Sequence, residues 1–524
     1  MGLWADQLLH GAIAAVSSHT QIYLGLFIFT IVTFVPWMIL GRHAVRRENK
    51  WMMSIFIFLT AFYIVSWSIM FYSEVYRWTW VQWPFFACLT ICAFIVLVAG
   101  GVLAAICWFN FTKGLAHYQL VRVALTYPAI DNHAHPLLKA EHRDAFDFEG
   151  LVSEASGPSL TEDAIHTLAC YRATQQLGKL YRLTGESTWE AVKQARKAAD
   201  YDALCRACME PTRIQCILID DGLGGSSEYA EDYKWHDRYT SSPTKRIVRV
   251  EILAEGILKT IFDSQLSTGS INPYYAWIEF LASFSRALEE SAADPEVVGF
   301  KSIACYRTGL NVVPDVNDED GNRVEQCVTV VMLRYEVTRT LRLADKALND
   351  YIVNSTMRVA GKCGKPVQFH TGLGDSDITL SLSSPSVMQP LIKAYPSTKI
   401  VLLHSSYPFT REAGYLTAVY PNVFLDFGEI FPFLSAEGQA GVVKQVLELC
   451  PTNKIMWSTD GHWWPESYYL GTLQARETLW KVLAETVHRQ EMTEAQAIGV
   501  VKRAMFDNAN RVYGLNLEPR WHPE

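Results

Sequence analysis

The feature that most restricts the fold of this chain is a series of eight short apolar runs after residue 122, separated by longer stretches with helical periodicity. Short buried runs are typical of strands, and strands that alternate with helices favour parallel pairing through right-handed crossovers. Eight such units before residue 524 predict an α/β fold, a TIM-like (β/α)8 barrel, with a doubly wound open sheet as the alternative. The predicted strands are Ala124–Asn132, Ile214–Asp220, Ile247–Leu253, Val297–Ile303, Pro366–His370, Lys399–His404, Val423–Phe427 and Ile455–Ser458.

The stretches between the runs carry the predicted helices, and one stretch is far longer than a crossover requires. The residues between the first two predicted strands read as helical in two parts, TEDAIHTLACYRATQQLGKLYRLTG and STWEAVKQARKAADYDALCRACM. We expect this helical insertion after strand one to form a cap over the barrel mouth. Predicted helices include Ile165–Leu183, Ala276–Ser291, Val337–Ala360, Ser384–Ala394 and Ala440–Leu449.

Three long runs without a charged residue precede the barrel. They cover about residues 21–40, 51–72 and 84–109, and each is long enough to cross a bilayer. Trp and Tyr crowd their edges, as in the aromatic belts of membrane proteins. The sequence therefore predicts a membrane region with three transmembrane helices over residues 1–113 and a barrel domain over 114–524. Buried helices of a soluble core are the alternative.

Basic residues predict which side of the membrane the barrel faces. The loop after the first span carries Arg42, Arg46, Arg47 and Lys50, whereas the segment before that span has no Lys or Arg. The positive-inside rule then places this loop and the barrel in the cytosol, so we expect an integral membrane protein with a cytosolic domain. Eleven scattered cysteines agree with a reducing compartment, and a net charge of −8 argues against nucleic-acid binding.

Residues able to bind a metal stand at the ends of several predicted strands. His133 and His135 follow the first strand with spacing that turns both imidazoles to one face. His370 and His404 end the fifth and sixth strands, and Asp460 follows the eighth. Because the carboxyl ends of barrel strands meet at one mouth, we expect these side chains to converge. Imidazole and carboxylate suit Zn, Mn or Fe, whereas the first pair alone would also fit two solvated histidines in a turn.

The segments around these residues are similar to those of a known family. IDNHAHPLL, QFHTGLGDSDI, VLLHSSYPFTREAGYL and WSTDGHWWPE resemble the amidohydrolase superfamily, and most closely the amidohydrolase-2 domain of FluG-type proteins. The resemblance covers about residues 124–515. FluG-type proteins usually fuse this domain to a glutamine-synthetase-like domain. The present sequence carries apolar spans in front of the barrel and no such domain behind it, so we expect no ammonia-ligase role.

The resemblance implies a metal-dependent hydrolase that cleaves amide-type C–N bonds with a metal-activated water. It implies His133, His135, His370 and Asp460 as metal ligands, with Asp460 also acting as a base. His404 would polarise the scissile carbonyl or shuttle a proton. Zinc is the expected ion, with Mn or Fe as alternatives, and we expect one ion; a carbamylated, bridging Lys301 would indicate two.

Five further polar residues are candidates for substrate binding: Arg307, Arg249, Glu251, His236 and Lys301. Arg249 and Arg307 would clamp a substrate carboxylate, although structural ion pairs at the barrel rim explain the same residues equally well. We interpret Arg249 and Glu251 as alternating positions on strand three. Asp220 and Asp221 after strand two and Glu429 at the end of strand seven also stand where substrate should lie, and weaker candidates are Glu154, His462, Trp463 and Glu466.

Two other functions share these residues. Members of the amidohydrolase-2 group include metal-dependent decarboxylases, which use the same kind of ligands. A non-catalytic, membrane-tethered signalling scaffold would keep the barrel without turnover. The expected partners are a small-molecule substrate and a membrane, and the sequence leaves the oligomeric state open.

Overall fold

The structure is a computed structural model that describes residues 20–111, 118–224, 226–269, 272–314 and 321–521. It divides into two compact units, Met1–Tyr118 and Gln119–Glu524. Residues 1–19 and 112–113 of the predicted membrane region lie outside the described residues.

The N-terminal unit consists of helices α1 (Thr20–Arg46), α2 (Lys50–Met70), α3 (Glu74–Gln82) and α4 (Pro84–Asn110). Helices α1, α2 and α4 are long and apolar enough to cross a membrane, which confirms them as candidate spans by length and composition. Side-chain hydrogen bonds link the three helices. The Thr33 and Tyr63 hydroxyls lie 2.6 Å apart, and the Trp108 indole donates to Ser54 Oγ. Such polar contacts stabilise helix pairs where the surrounding medium offers no hydrophobic drive.

The second unit is the predicted eight-stranded barrel. All strands pair in parallel and in sequence order. The backbone also joins the first strand to the segment after the last one, because the Asn132 amide donates to the Trp457 carbonyl and the His135 amide to the Gly461 carbonyl. The strands are β1 (Ala129–Ala134), β2 (Ile214–Asp220), β3 (Lys245–Arg249), β4 (Val297–Ser302), β5 (Val367–Phe369), β6 (Ile400–Leu402), β7 (Val423–Asp426) and β8 (Ile455–Met456).

Helices surround the strands and bury a continuous apolar core between the two layers. The helices of this unit are α5 (Tyr118–Thr126), α6 (Leu168–Leu180), α7 (Trp189–Ala198), α8 (Tyr201–Met209), α9 (Ser226–Tyr229), α10 (Val250–Thr268), α11 (Pro273–Ala293), α12 (Gly321–Thr338), α13 (Lys346–Cys363), α14 (Gln389–Ala394), α15 (Thr410–Val419), α16 (Ile430–Phe433), α17 (Ala436–Leu449), α18 (Pro465–His488), α19 (Glu494–Lys502) and α20 (Asn508–Val512).

Two predicted strands are wrong at one end. The run Ala124–Asn132 starts inside α5, which ends at Thr126 because Pro128 keeps Tyr127 out of helical geometry. The run Ile247–Leu253 continues past β3 into α10, so Glu251 lies in the first helical turn and not on a strand. Arg249 and Glu251 alternate with aliphatic residues across the boundary, so the strand-like pattern continues into the helix.

The predicted helix Val337–Ala360 is also wrong, because the chain leaves helical geometry after Thr338. Arg339 has a φ of +55°, and the next helix begins only at Lys346. The buried Leu343 amide donates to the Glu255 carboxylate at 2.9 Å. A tertiary hydrogen bond therefore holds an extended segment where the sequence pattern alone favours a helix.

The insertion after β1 is helical, as predicted, and contains α6, α7 and α8. Thr167, Thr188 and Asp200 cap the three helices by accepting a backbone N–H. The apolar side chains of the insertion form a second cluster with Trp464 and Leu470, which belong to the segment after β8. The insertion is thus packed on the chain that carries Asp460.

Candidate functional site

A cavity of about 490 Å³ opens at the carboxyl ends of the strands. Metal-capable side chains, four cationic side chains and the aromatic rings of Phe146, Tyr306 and Trp463 line it. The insertion contributes Phe146 and Glu154, so part of it stands at the cavity wall as expected of a cap. The side chains in the wall include His135, Phe146, Glu154, Arg249, Ile252, Lys301, Ile303, Tyr306, Arg307, Arg342, His370, Asp375, Asp377, Glu429, Asp460, His462 and Trp463.

The first group of metal-capable residues consists of His133, His135 and Asp460, whose ligand atoms lie within 4.8 Å of one another. Asp460 Oδ1 is 3.2 Å from His133 Nε2 and 3.4 Å from His135 Nε2. His135 Nδ1 donates to the Asp220 carbonyl at 2.8 Å, which leaves Nε2 with the lone pair that faces Asp460. Metal-binding histidines are usually oriented by such a second hydrogen bond.

The second group consists of His370, His404 and Glu429, whose ligand atoms also lie within 4.8 Å of one another. The His370 and His404 rings lie 4.2 Å apart between centroids, and His404 Nδ1 is 3.2 Å from Glu429 Oε2. His370 Nε2 donates to the Leu373 carbonyl at 2.6 Å, which leaves Nδ1 with the free lone pair. The structure therefore groups His370 with His404 and Glu429, not with the first histidine pair.

The backbone at three strand ends is strained. His404, Glu429 and Asp460 adopt φ values of +66°, +60° and +51°. Buried Asp426 helps to hold this geometry, because its Oδ2 accepts from the amides of His404 and Gly428. Non-glycine residues in left-handed geometry cluster at functional sites, where the surrounding structure holds the strain.

Burial sets the charge of each group at this site. It lowers the pKa of His133 to about 3, with the Lys301 charge acting in the same direction. Burial likewise lowers the pKa values of His370 and His404. Burial opposes ionisation of Asp460, but His404 and His133 hold the pKa of that carboxyl well below its usual value. Neutral imidazoles beside an ionised carboxylate are the protonation states that metal binding requires.

Several buried polar atoms at this site have no hydrogen-bond partner among the described residues. They are Nδ1 of His133, both ring nitrogens of His404, Oε2 of Glu429 and Oδ1 of Asp460. Buried polar groups are nearly always satisfied, so a concentration of unsatisfied acceptors and lone pairs favours a cation between them. The donor set of imidazole nitrogens and carboxylate oxygens fits Zn, Mn or Fe.

Lys301 extends from β4 into the first group. Its Nζ donates to His133 Nε2 at 2.7 Å and lies 3.9 Å from Asp220 Oδ2. Burial lowers the pKa of Lys301, and the charge of Arg249 lowers it further. Arg249 itself gives two hydrogen bonds, of 2.9 and 2.6 Å, to Asp220 Oδ2. Arg249 is therefore engaged by a buried carboxylate.

The remaining predicted substrate residues fall into two sets. Arg307 lines the cavity, whereas Glu251 and His236 are buried and lie outside the described cavity wall. Glu251 accepts from Ser302 Oγ at 2.7 Å, and burial raises its pKa. His236 Nε2 accepts from the Leu137 amide at 3.0 Å. Both residues have local hydrogen-bond roles in this structure.

Sequence reasoning missed several residues of the wall. Tyr306 places its hydroxyl 3.0 Å from His370 Nε2, and Arg342 reaches the cavity from the segment between α12 and α13. Arg342 donates to the Tyr306 carbonyl and pairs with Asp377 at 2.9 Å. The motif CYRTGL next to β4 was a usable signal for Tyr306. No pattern marks Arg342, because its position depends on the break after Thr338.

Comparison with known proteins supports placing the barrel in the amidohydrolase superfamily. Residues 278–515 match the amidohydrolase family designated Amidohydro_2. The chain is 42% identical over 409 residues to protein fluG of Emericella nidulans, an alignment that covers 75% of this chain and 46% of fluG. The chain therefore spans about half the length of that relative.

Solved structures share the fold. A Lactobacillus casei protein described as a metal-dependent hydrolase has a TM-score of 0.63 at 24% identity, covering 76% of this chain and 97% of its own. The uronate isomerase of Thermotoga maritima has a TM-score of 0.54 at 13% identity, with coverage of 76% and 97%. The uronate isomerase of Bacillus halodurans has a TM-score of 0.51 at 12% identity, and the match covers 76% of this chain and 96% of the isomerase. At these identities the likeness concerns the fold alone.

Proposed function

We propose that this barrel is a metal-dependent hydrolase of amide-type C–N bonds, and that one divalent ion, zinc in the first place, binds at the strand ends. The observation that carries the proposal is the convergence of two buried ligand groups on one cavity, with unsatisfied nitrogens and oxygens in both. His133, His135 and Asp460 form the core of the proposed site, and the family pattern adds His370, from the neighbouring group, as a fourth ligand. Family similarity supports the reaction class only in general terms.

When bound, a divalent ion lowers the pKa of a water molecule and polarises a carbonyl. The pKa of Asp460 lies well below its usual value, so its carboxylate would be available to accept a proton from the attacking water. Neutral His404 stands 4.0 Å from Asp460 Oδ2 and can pass that proton to the leaving nitrogen. The Tyr306 hydroxyl lies 3.0 Å from His370 Nε2, and this contact helps to orient the His370 imidazole.

Glu429 supports the same proton route. Burial raises its pKa well above the usual range, and the charge of Asp460 acts in the same direction. Its Oε2 lies 3.2 Å from His404 Nδ1 without forming a hydrogen bond, and a neutral carboxyl at that distance adds no negative charge that would hold a proton on the imidazole.

The test is a substrate screen on the purified, metal-loaded protein. We expect release of amine or ammonia from members of an amide, anilide and ester panel, and loss of release after treatment with a chelator. The variants His133→Ala and Asp460→Asn should lose turnover. Release of CO2 instead of amine would indicate a decarboxylase, and tight metal binding without any turnover would indicate a scaffold. Either result would overturn the proposed hydrolase.

We also propose that the barrel domain, residues 114–524, is held at a membrane by the three N-terminal spans of residues 1–113 and faces the cytosol. The support is the length and hydropathy of α1, α2 and α4 and the basic loop between the first two. Full-length protein should stay in the membrane fraction after a carbonate wash. Protease added to sealed vesicles with the cytosolic face outward should digest the barrel; protection of the barrel would contradict this orientation.

A further inference from the structure

Four cationic side chains line the described part of the cavity, and their partners differ. Lys301 contacts His133, and Arg249 is bound by Asp220 through two hydrogen bonds. Arg342 is half exposed and pairs with Asp377 at 2.9 Å. Each of these three charges thus has a close contact that explains its position.

Arg307 is different, because it is buried without adequate partners. Its side chain is 10% exposed, and its one carboxylate contact is a long one, from Nη2 to Glu255 Oε1 at 3.4 Å. That Glu255 oxygen already accepts from the Leu343 amide at 2.9 Å. Arg307 Nε is buried and has no hydrogen-bond partner among the described residues. A guanidinium offers five donors, so most of its hydrogen-bonding capacity is unused.

The position of Arg307 connects it to the reaction site. It follows Tyr306 directly, and the Tyr306 hydroxyl contacts His370 of the second ligand group. Ile252 and Ile303 line the same cavity and supply apolar wall, while the tilted rings of Phe146 and Trp463 contact each other at a centroid distance of 4.7 Å elsewhere in the wall. The cavity therefore contains the poorly paired guanidinium of Arg307, an aliphatic surface and a pair of aromatic rings.

From these contacts we infer that the substrate is an amide that carries a free carboxylate, that Arg307 binds this carboxylate, and that Arg249 does not. The inference rests on the proposed function and specifies its substrate class. A substrate carboxylate would give Nε and one terminal nitrogen of Arg307 a bidentate partner, the geometry that guanidinium groups favour. Burial of Arg307 without such a partner is costly to the folded protein, and occupancy by the substrate offsets that cost. The aromatic pair fits a flat group on the other side of the amide bond.

The experiment compares charged and uncharged forms of one series of amides. The probes are the anilides of malonic, succinic and glutaric acid, each with its free carboxylate and as its methyl ester. The full-length, metal-loaded protein in detergent is assayed for aniline release. Wild-type protein should prefer the best free acid over its ester in kcat/KM by about ten- to a hundredfold, the range expected for charge-assisted hydrogen bonds.

Variants separate recognition from folding. Arg307→Gln should remove the preference mainly by raising KM, and Arg307→Lys should restore part of it because charge returns without the fork geometry. Arg342→Gln is the matched control: this exposed arginine lines the same cavity, and the preference should remain. Arg307→Gln should also leave the melting temperature unchanged or higher, whereas a structural ion pair with Glu255 would make the variant less stable. Equal turnover of acids and esters by wild-type protein, or an unchanged preference in Arg307→Gln, would overturn the inference.

A binding assay distinguishes failure of the proposed hydrolase activity from failure of carboxylate recognition by Arg307. If no anilide is hydrolysed, the same six compounds are tested as ligands by thermal shift. Stabilisation of wild-type protein by a free acid, absent in Arg307→Gln, would support carboxylate binding and count against the hydrolase. No stabilisation by any of the acids would overturn carboxylate recognition by Arg307.

Discussion

The buried ion pair between Glu466 and Arg196 fixes the insertion to the chain that follows Asp460, and its removal should destabilise the barrel unit. Glu466 is fully buried; its Oε1 accepts from Tyr181 Oη at 2.6 Å and lies 3.0 Å from Arg196 Nε. The change Glu466→Ala removes both contacts and leaves a guanidinium that is 4% exposed without its buried carboxylate. Losing one partner of a buried pair typically costs about 3–5 kcal/mol.

The remaining contacts of Arg196 place the expected loss at the lower end of that range. Its terminal nitrogens keep Asp144 at 2.7 Å and the Arg143 carbonyl at 2.8 Å. Asp144 is half exposed, so its charge is screened and replaces little of the lost pairing. We therefore expect Glu466→Ala to lower the free energy of unfolding by about 3 kcal/mol. Glu466→Gln keeps acceptors for both partners and should lower it by about 1–2 kcal/mol.

The assay is urea denaturation of the full-length protein in detergent, followed by tryptophan fluorescence, together with limited proteolysis. The insertion packs on Trp464, so we expect cleavage between α6 and α8 to accelerate in Glu466→Ala before the rest of the barrel unfolds. Glu448→Ala removes an exposed pair with Arg411 and serves as the control, with no measurable change expected. If Glu466→Ala and Glu448→Ala have the same midpoint, the reasoning that the pair fixes the insertion is refuted.

Three further predictions concern the site. His404→Gln should lower kcat by about 10²–10⁴ while elemental analysis finds unchanged metal content, because His404 transfers a proton and is not a required ligand; a loss of metal would make it a ligand instead. Asp220→Asn should lower the free energy of unfolding by about 3 kcal/mol in the same urea assay, because buried Arg249 loses its ionised partner; an unchanged midpoint would mean that the pair is dispensable. Metal affinity, measured by competition with a fluorescent chelator, should stay constant from pH 8 down to about pH 5, because imidazoles whose pKa lies below the usual value remain neutral ligands there. A loss of affinity of about threefold between pH 7 and pH 6 would show that a histidine with an ordinary pKa controls binding.

The fold and the convergence of the metal-capable side chains were predictable because, in a parallel barrel, the order of the strands in the sequence determines their positions. Once eight strands are recognised, their carboxyl ends must meet at one mouth, and His133, His135, His370, His404 and Asp460 follow. The boundaries were less predictable. At Val250 a strand passes directly into a helix, and the alternation of Arg249 and Glu251 with aliphatic residues assigns Glu251 to the wrong element.

The wall of the cavity depends on contacts that no local pattern encodes. Arg342 lines the cavity because the chain turns out of the helix at Arg339 and the Leu343 amide finds Glu255 in another helix. From sequence Glu429 was expected near the substrate and not beside His404, because its place there depends on a left-handed backbone after β7. From the sequence, Arg249 and Arg307 were equally good candidates for binding a substrate carboxylate. The structure distinguishes them, because Asp220 forms an ion pair with Arg249.

Anomalous X-ray diffraction from crystals of the zinc-loaded protein tests the central claim most directly. We predict one strong peak per chain, at about 2.0–2.2 Å from nitrogens of His133 and His135 and from an oxygen of Asp460. A second peak beside His370, His404 and Glu429 would refute the single-ion assignment while keeping the metal site. No peak within ligand distance of His133, His135 and Asp460 would contradict the account.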